Sequence, residues 1–333
     1  MPSLFSYSPK ELSTDAFLAW LFESFTTEPS LIGKESGFFH KLGLCKSAAV
    51  KISDIKVSMQ EKKTDLIVRF LMDGKESKCL FENKVNTTIH NNQLEVYKTR
   101  FPKMDHYFYL KLGFITFHEK LEAKSLGYEL IDSILLHDAL LGLKSSNCIV
   151  NDYIGFLKKE FIDEGLAIES DVKSRRSSVF SSVFSKSYAQ QFFMSRLHDD
   201  LHALSMGDLS FSSKSHVGGS PWTQLCIAKK KSFYGSKSEF LIWKIEKRSG
   251  GWFLKLMQYS RISPSHKLAK QSRLSKLRSD VLSTPTIKHF KCGSVSNQGE
   301  YSSDIVVFYF DKNPPIDMLK FLPKLSEEIV KIY

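Results

Sequence analysis

An Asp-Gly pair set between two strand-like runs constrains this chain more than any other feature. Asp73-Gly74 follows Thr64-Asp65-Leu66-Ile67-Val68-Arg69-Phe70-Leu71-Met72 and precedes Lys75 through Cys79-Leu80-Phe81-Glu82-Asn83-Lys84-Val85. Asp-Gly in that setting signals a two-residue β-hairpin loop, because both loop positions need a positive φ. With Asp73 and Gly74 as the loop, paired positions sum to 147, so Met72 faces Lys75, Ile67 faces Leu80 and Asp65 faces Glu82. Directly opposed residues have Cβ atoms roughly 4.5–5.5 Å apart on one sheet face. Lys84, two residues beyond Glu82, shares that face.

Two carboxylates and an ammonium therefore project from strands that are otherwise apolar, and opposed like charges destabilise a sheet. A divalent cation between the carboxylates removes the conflict. Mg²⁺ or Mn²⁺ takes hard oxygen ligands, polarises a phosphate and lowers the pKa of a bound water, while a neighbouring lysine can orient or help deprotonate that water. The pattern points to metal-assisted phosphodiester hydrolysis. Its bland counterpart is an Asp65–Lys84 ion pair at a solvated strand end, worth about 0–1 kcal/mol.

Around this hairpin the pattern reads as α/β. Ser8-Pro9-Lys10-Glu11 is a capping box, with Ser8 as N-cap and Pro9 at the first helical position, and it opens an amphipathic helix through Phe25. Strands are expected over 50–60, 64–72, 77–85 and 107–117, and helices around Gln93 to Tyr97, 130–143 and 152–164. A serine-rich boundary segment is expected over 171–187, where seven of the fourteen residues 174–187 are serine. The expected domains are thus 1–170 and 188–333. The second reads as α+β, with helices over 188–204, 265–282 and 315–333 and strands over 222–228, 239–247, 252–259 and 304–310, the middle two joined by a turn at Arg248-Ser249-Gly250-Gly251.

Charge is distributed unevenly between the two halves of the chain. Residues 1–166 hold 21 basic and 22 acidic side chains, whereas 167–333 hold 26 and 14. Such a basic half favours a polyanionic partner, nucleic acid before anionic lipid. Aromatics interleave with its lysines at Lys229-Lys230-Lys231-Ser232-Phe233-Tyr234, Trp243-Lys244 and Trp252-Phe253-Leu254-Lys255, an arrangement able to stack on bases, although strand alternation puts Leu241, Trp243 and Ile245 on one face, toward the core. No apolar run approaches the ~20 residues of a membrane span. The five cysteines are odd in number and form no CxxC pair, which fits free thiols in the cytoplasm. His198 and His202 have zinc-site spacing, but Asp199 stands where that motif carries glutamate, and no third ligand is evident.

Asp65 with Glu82-Asn83-Lys84 resembles the signature of the PD-(D/E)XK nuclease superfamily. Gln93-Leu94-Glu95-Val96-Tyr97 is similar to the QxxxY helix that follows E-x-K in RecB-type members. Thr64 stands where the signature has proline. The resemblance covers roughly residues 8–117. It implies a restriction-endonuclease-like core, a mixed central sheet flanked by helices, and a Mg²⁺- or Mn²⁺-dependent nuclease, DNA before RNA as substrate, in restriction, phage defence or repair. It implies Asp65 and Glu82 as metal ligands, aided by the Asn83 carbonyl and by Glu11 on the opening helix. Lys84 would act on the water, with Gln93 and Tyr97 supporting. The competing expectation is an inactive nucleic-acid- or protein-binding module on the same scaffold. The C-terminal domain would serve substrate, a partner protein or self-association.

Overall fold

The computed structural model describes the 333-residue chain except positions 1–2, 8–9, 34, 48, 90–91, 175–179, 208, 217–218, 231–237, 249–250, 261–265 and 296–301. Ser8, Pro9, Ser249, Gly250 and the Lys231–Tyr234 cluster of the sequence reading lie outside the described residues. The chain divides into two compact units, Met1–Leu166 and Ala167–Tyr333. The division falls at 166/167, inside a helix, rather than in the serine-rich stretch.

The first unit opens with α1 (Lys10–Thr27), α2 (Pro29–Ile32) and α3 (Glu35–Lys41). Then come β1 (Ile52–Met59), β2 (Leu66–Met72), β3 (Lys75–Val85), α4 (Gln93–Arg100), β4 (His106–Leu112), α5 (Phe117–Ser125), β5 (Glu129–Asp132), α6 (Ser133–Gly142), α7 (Cys148–Leu157) and α8 (Glu164–Lys173). A π-helical stretch, Lys158–Asp163, joins α7 to α8. The sheet order is β1-β2-β3-β4-β5. The first three strands are antiparallel, and β4 and β5 continue parallel to β3 through the α4 and α5 crossovers. The hairpin register is the one set by Asp-Gly, with Ile67 opposite Leu80 and Met72 opposite Lys75.

Strand alternation sends Leu66, Val68, Phe70, Phe81 and Phe108 into one core with α1, α3, α6 and α7. Ile67, Leu80, Tyr107 and Tyr109 face the other way, against Leu94 and Tyr97 of α4 and Ala123 of α5. The result is a helix–sheet–helix sandwich with a five-stranded mixed sheet. Two expectations need correction. The expected 107–117 strand stops at Leu112, because the Thr116–Glu119 capping box starts α5. The expected 130–143 helix gives its first residues to β5, where Tyr109 pairs with Leu130, and begins at Ser133 behind the Asp132 cap.

The second unit is α+β. It runs α9 (Phe180–Val183), α10 (Ser187–Ala203), β6 (Ser210–Ser215), β7 (Pro221–Lys230), β8 (Glu239–Arg248), β9 (Gly251–Ser260), α11 (Lys267–Leu282), β10 (Ser302–Tyr309) and α12 (Pro315–Ile332). Its antiparallel sheet has the order β10-β9-β8-β7-β6. Burial corrects the stacking expectation at Trp252, Phe253 and Lys255 and agrees with the core face that strand alternation gives Trp243. Trp243, Trp252 and Phe253 are core residues, and Trp243 donates its ring N–H to Ser326 Oγ at 2.9 Å. Lys255 is buried as well, paired with Glu246 at 2.5 Å and Asp304 at 3.1 Å. Among the described residues no helix is long and apolar enough to cross a membrane.

Candidate active site

The hairpin register and the entry of α1 build one acidic cluster. Asp65 stands immediately before β2, while Glu82, Asn83 and Lys84 lie near the end of β3. Asp65 lies near enough to Glu82 for its charge to raise the Glu82 carboxyl. Asp65 is held by its Oδ2, which accepts the Asn83 backbone N–H at 2.8 Å. Glu11 approaches from the first turn of α1. Its Oε1 lies 3.4 Å from Lys84 Nζ, and its Oε2 accepts the Val85 backbone N–H at 3.4 Å.

Lys84 is the hub of the charges. Its Nζ lies 2.5 Å from Glu82 Oε1 and donates to the Asn83 carbonyl at 3.1 Å. No donor reaches either Glu82 oxygen with hydrogen-bond geometry, so the Lys84 contact is a close ion pair rather than a directed bond. Glu82 is fully buried and Lys84 is 4% exposed, which replaces the expected solvated strand end with an interior pair.

Sequence reasoning missed Asp15. It sits one turn beyond Glu11 on α1, is 2% exposed, and its Oδ1 accepts from Asn83 Nδ2 at 3.0 Å. The same amide group donates to the Glu11 carbonyl at 3.2 Å. Asn83 thus ties α1 to the strands through its side chain and holds Asp65 through its backbone. The spacing of Glu11 and Asp15, i and i+4, put two acids on one helix face and was the available signal.

Burial and mutual repulsion raise the acids. Desolvation first, then the Asp65 charge, push the Glu82 carboxyl up to about 8 against the pull of Lys84. Desolvation and Asp65 push Asp15 up to about 7, opposed by the Asn83 hydrogen bond. Burial raises Asp65 too. For Lys84, burial alone would lower the pKa, but Glu82, Glu11 and Asp65 together outweigh it and keep the ammonium protonated. At neutral pH the cluster therefore carries fewer negative charges than its four carboxyl groups allow.

Gln93 and Tyr97 sit beside the cluster rather than in it. Gln93 Nε2 donates to Tyr97 Oη at 2.8 Å, and that hydroxyl donates to the Lys63 carbonyl at 2.7 Å, two residues before Asp65. A second buried group was also missed. Lys111, opposite Lys84 in the parallel register, pairs with Glu119 at 3.0 Å, and Tyr109 donates to the same carboxylate at 2.6 Å.

Among the described residues no group of three His, Cys, Asp or Glu side chains is arranged to hold a metal ion, the His198/His202 pair included. Those two rings lie 6.2 Å apart, with His198 buried in the α10 core face. Comparisons of the chain with protein-family models, curated proteins and solved structures return no match.

Proposed function

We propose that this chain is a Mg²⁺- or Mn²⁺-dependent nuclease that hydrolyses phosphodiester bonds in DNA, as the resemblance to PD-(D/E)XK enzymes implies. The observation that carries the reading is the buried Glu82 carboxyl. Its two oxygens have no directed hydrogen bond, it faces Asp65, and a protonated lysine stands against it. Burying one carboxyl beside another is costly, and the Lys84 ammonium at 2.5 Å offsets only part of it, since the Glu82 carboxyl still stands at about 8.

The donors that would hold the cation are the carboxylates of Asp65, Glu82 and Glu11 and the Asn83 carbonyl. Bound there, it would polarise the scissile phosphate and lower the pKa of an attacking water. The donor chemistry fits, being hard oxygen throughout. Lys84 acts as a charge stabiliser. Because its neighbours keep it protonated, it orients water and meets negative charge growing on the phosphate, and it does not serve as the base. Asp15 and Asn83 hold the strand end in place. Defence, restriction or repair is the setting the family resemblance favours, and the five free thiols favour the cytoplasm.

One observation favours a second reading, a non-catalytic nucleic-acid-binding module. Lys84 already bridges Glu82 and Glu11, and the acids do not close into a three-acid group. Incubating the protein with circular and linear DNA in Mn²⁺, Mg²⁺ and EDTA separates the two. The nuclease reading expects cleavage that Glu82→Gln removes. Binding without cleavage in every metal supports the module instead.

A further inference from the structure

The loop leading into Asp65 is strained, and its strain is held from several sides. Gln60, Lys62 and Lys63 have φ of 55°, 50° and 71°, the left-handed region that favours glycine. An L-residue there costs roughly 1–2 kcal/mol. Three non-glycine residues keep this conformation within four positions, and none of the three is β-branched or apolar.

Every carbonyl of the turn is engaged. Thr64 Oγ1 donates to the Glu61 carbonyl at 2.7 Å, Arg100 Nη1 to the Lys62 carbonyl at 3.0 Å, and Tyr97 Oη to the Lys63 carbonyl at 2.7 Å. Arg69 grips the Glu61 carboxylate at 3.1 and 3.4 Å, and the Gln60 N–H donates to the Asp65 carbonyl at 3.2 Å. Gln93 in turn fixes the Tyr97 hydroxyl. Strain that the surroundings over-determine in this way is typical of functional segments.

The side chains tell what the backbone is held for. Thr64 is buried, and the Lys62 ammonium lies 5.2 Å from the Phe101 ring centroid. Lys63 is exposed, and among the described residues no carboxylate pairs with it. A glycine at this position would make the same turn without strain. The only thing it would lose is the ammonium, two residues from Asp65.

We propose that Lys63 is a substrate-binding residue, held by the Gln93–Tyr97 relay so that its ammonium contacts a DNA backbone phosphate beside the acidic cluster. This rests on the nuclease reading above, and it gives α4 a role as the brace of the loop rather than a direct participant. A lysine suits the task as a point charge for phosphate.

The test is binding of a labelled DNA duplex by the full chain in EDTA, followed by anisotropy over a salt series. Lys63→Ala should weaken binding and reduce the slope of log Kd against log salt by about one. Lys63→Arg should keep the slope. Lys63→Gly should reduce it as Lys63→Ala does while melting at or above the wild-type temperature, which separates lost charge from lost structure. Tyr97→Phe should weaken binding in the wild-type chain and add nothing in Lys63→Ala. A wild-type slope in Lys63→Ala, from a chain that cleaves DNA, overturns the inference and leaves the nuclease reading standing. A wild-type chain that neither binds nor cleaves DNA overturns both.

Discussion

Two residues decide how the acidic cluster behaves, and they answer to different experiments. Lys84 is buried against a buried Glu82, so removing it is not the mild surface change that a strand-end lysine would allow. Lys84→Met should cut cleavage by on the order of 10²–10⁴ through loss of charge stabilisation. It should also destabilise the metal-free protein in a pH-dependent way. With Lys84 present the Glu82 carboxyl stands at about 8; without that ammonium to lower it, the variant's carboxyl keeps its proton to still higher pH, and only beyond that point does the uncompensated carboxylate cost up to about 3–5 kcal/mol. Melting curves at acidic and alkaline pH measure that widening gap. Asp15 tests the other half of the cluster. Its pKa rises from 3.8 to about 7 on folding, so the folded chain holds the proton more tightly. The stability this contributes is complete below pH 3.8 and is lost as pH climbs through about 7. Asp15→Asn keeps an acceptor for Asn83 and removes the proton. Its metal-free stability should fall less steeply between those pH values than that of wild type, by up to about 1.4 kcal/mol per pH unit. Equal slopes would mean that folding leaves the Asp15 carboxyl at its ordinary value. Asp15 was hard to find in the sequence because an acid on an amphipathic helix reads as solvent-facing. Its burial depends on Asn83, 68 residues further along the chain.

Elements whose local chemistry admits one solution were legible, and those settled by distant packing were not. Asp73 and Gly74, at φ 50° and 81°, form the loop that their residue types demand. Period-2 alternation then carries the register without tertiary information from Met72 opposite Lys75 to Leu66 opposite Phe81, the pair next to Asp65 and Glu82. β5 was lost because four residues with one buried side chain make a weak pattern, and the parallel pairing with β4 that defines it is non-local. α5 was lost to an over-extended strand although Thr116-Phe117-His118-Glu119 spells a capping box. The hairpin offers its own test. Gly74→Ala meets no atom within 4 Å, so its cost is backbone strain alone, about 1–2 kcal/mol by urea unfolding. The loop lies at the opposite end of the hairpin from Glu82, so the cleavage rate of the folded variant should match wild type.

Across the whole molecule, the basic excess belongs to the second unit: residues 1–166 carry −1 and residues 167–333 carry +12. DNA binding should therefore weaken steeply with salt. A chain ending at Lys173 should show a shallower slope if the basic unit supplies the phosphate contacts. An unchanged slope in a folded truncation would place them in the first unit, Lys63 among them. Burial of Trp243, Trp252 and Lys255 restricts which part of the basic half can make such contacts, because those side chains are spent on the core and on internal ion pairs. The boundary at 166/167 falls within α8, which starts at Glu164 and ends at Lys173. Anyone recombining the first unit with a foreign targeting module should join the two chains after Lys173. A crossover at the boundary itself would cut the continuous helical run from Cys148 to Lys173.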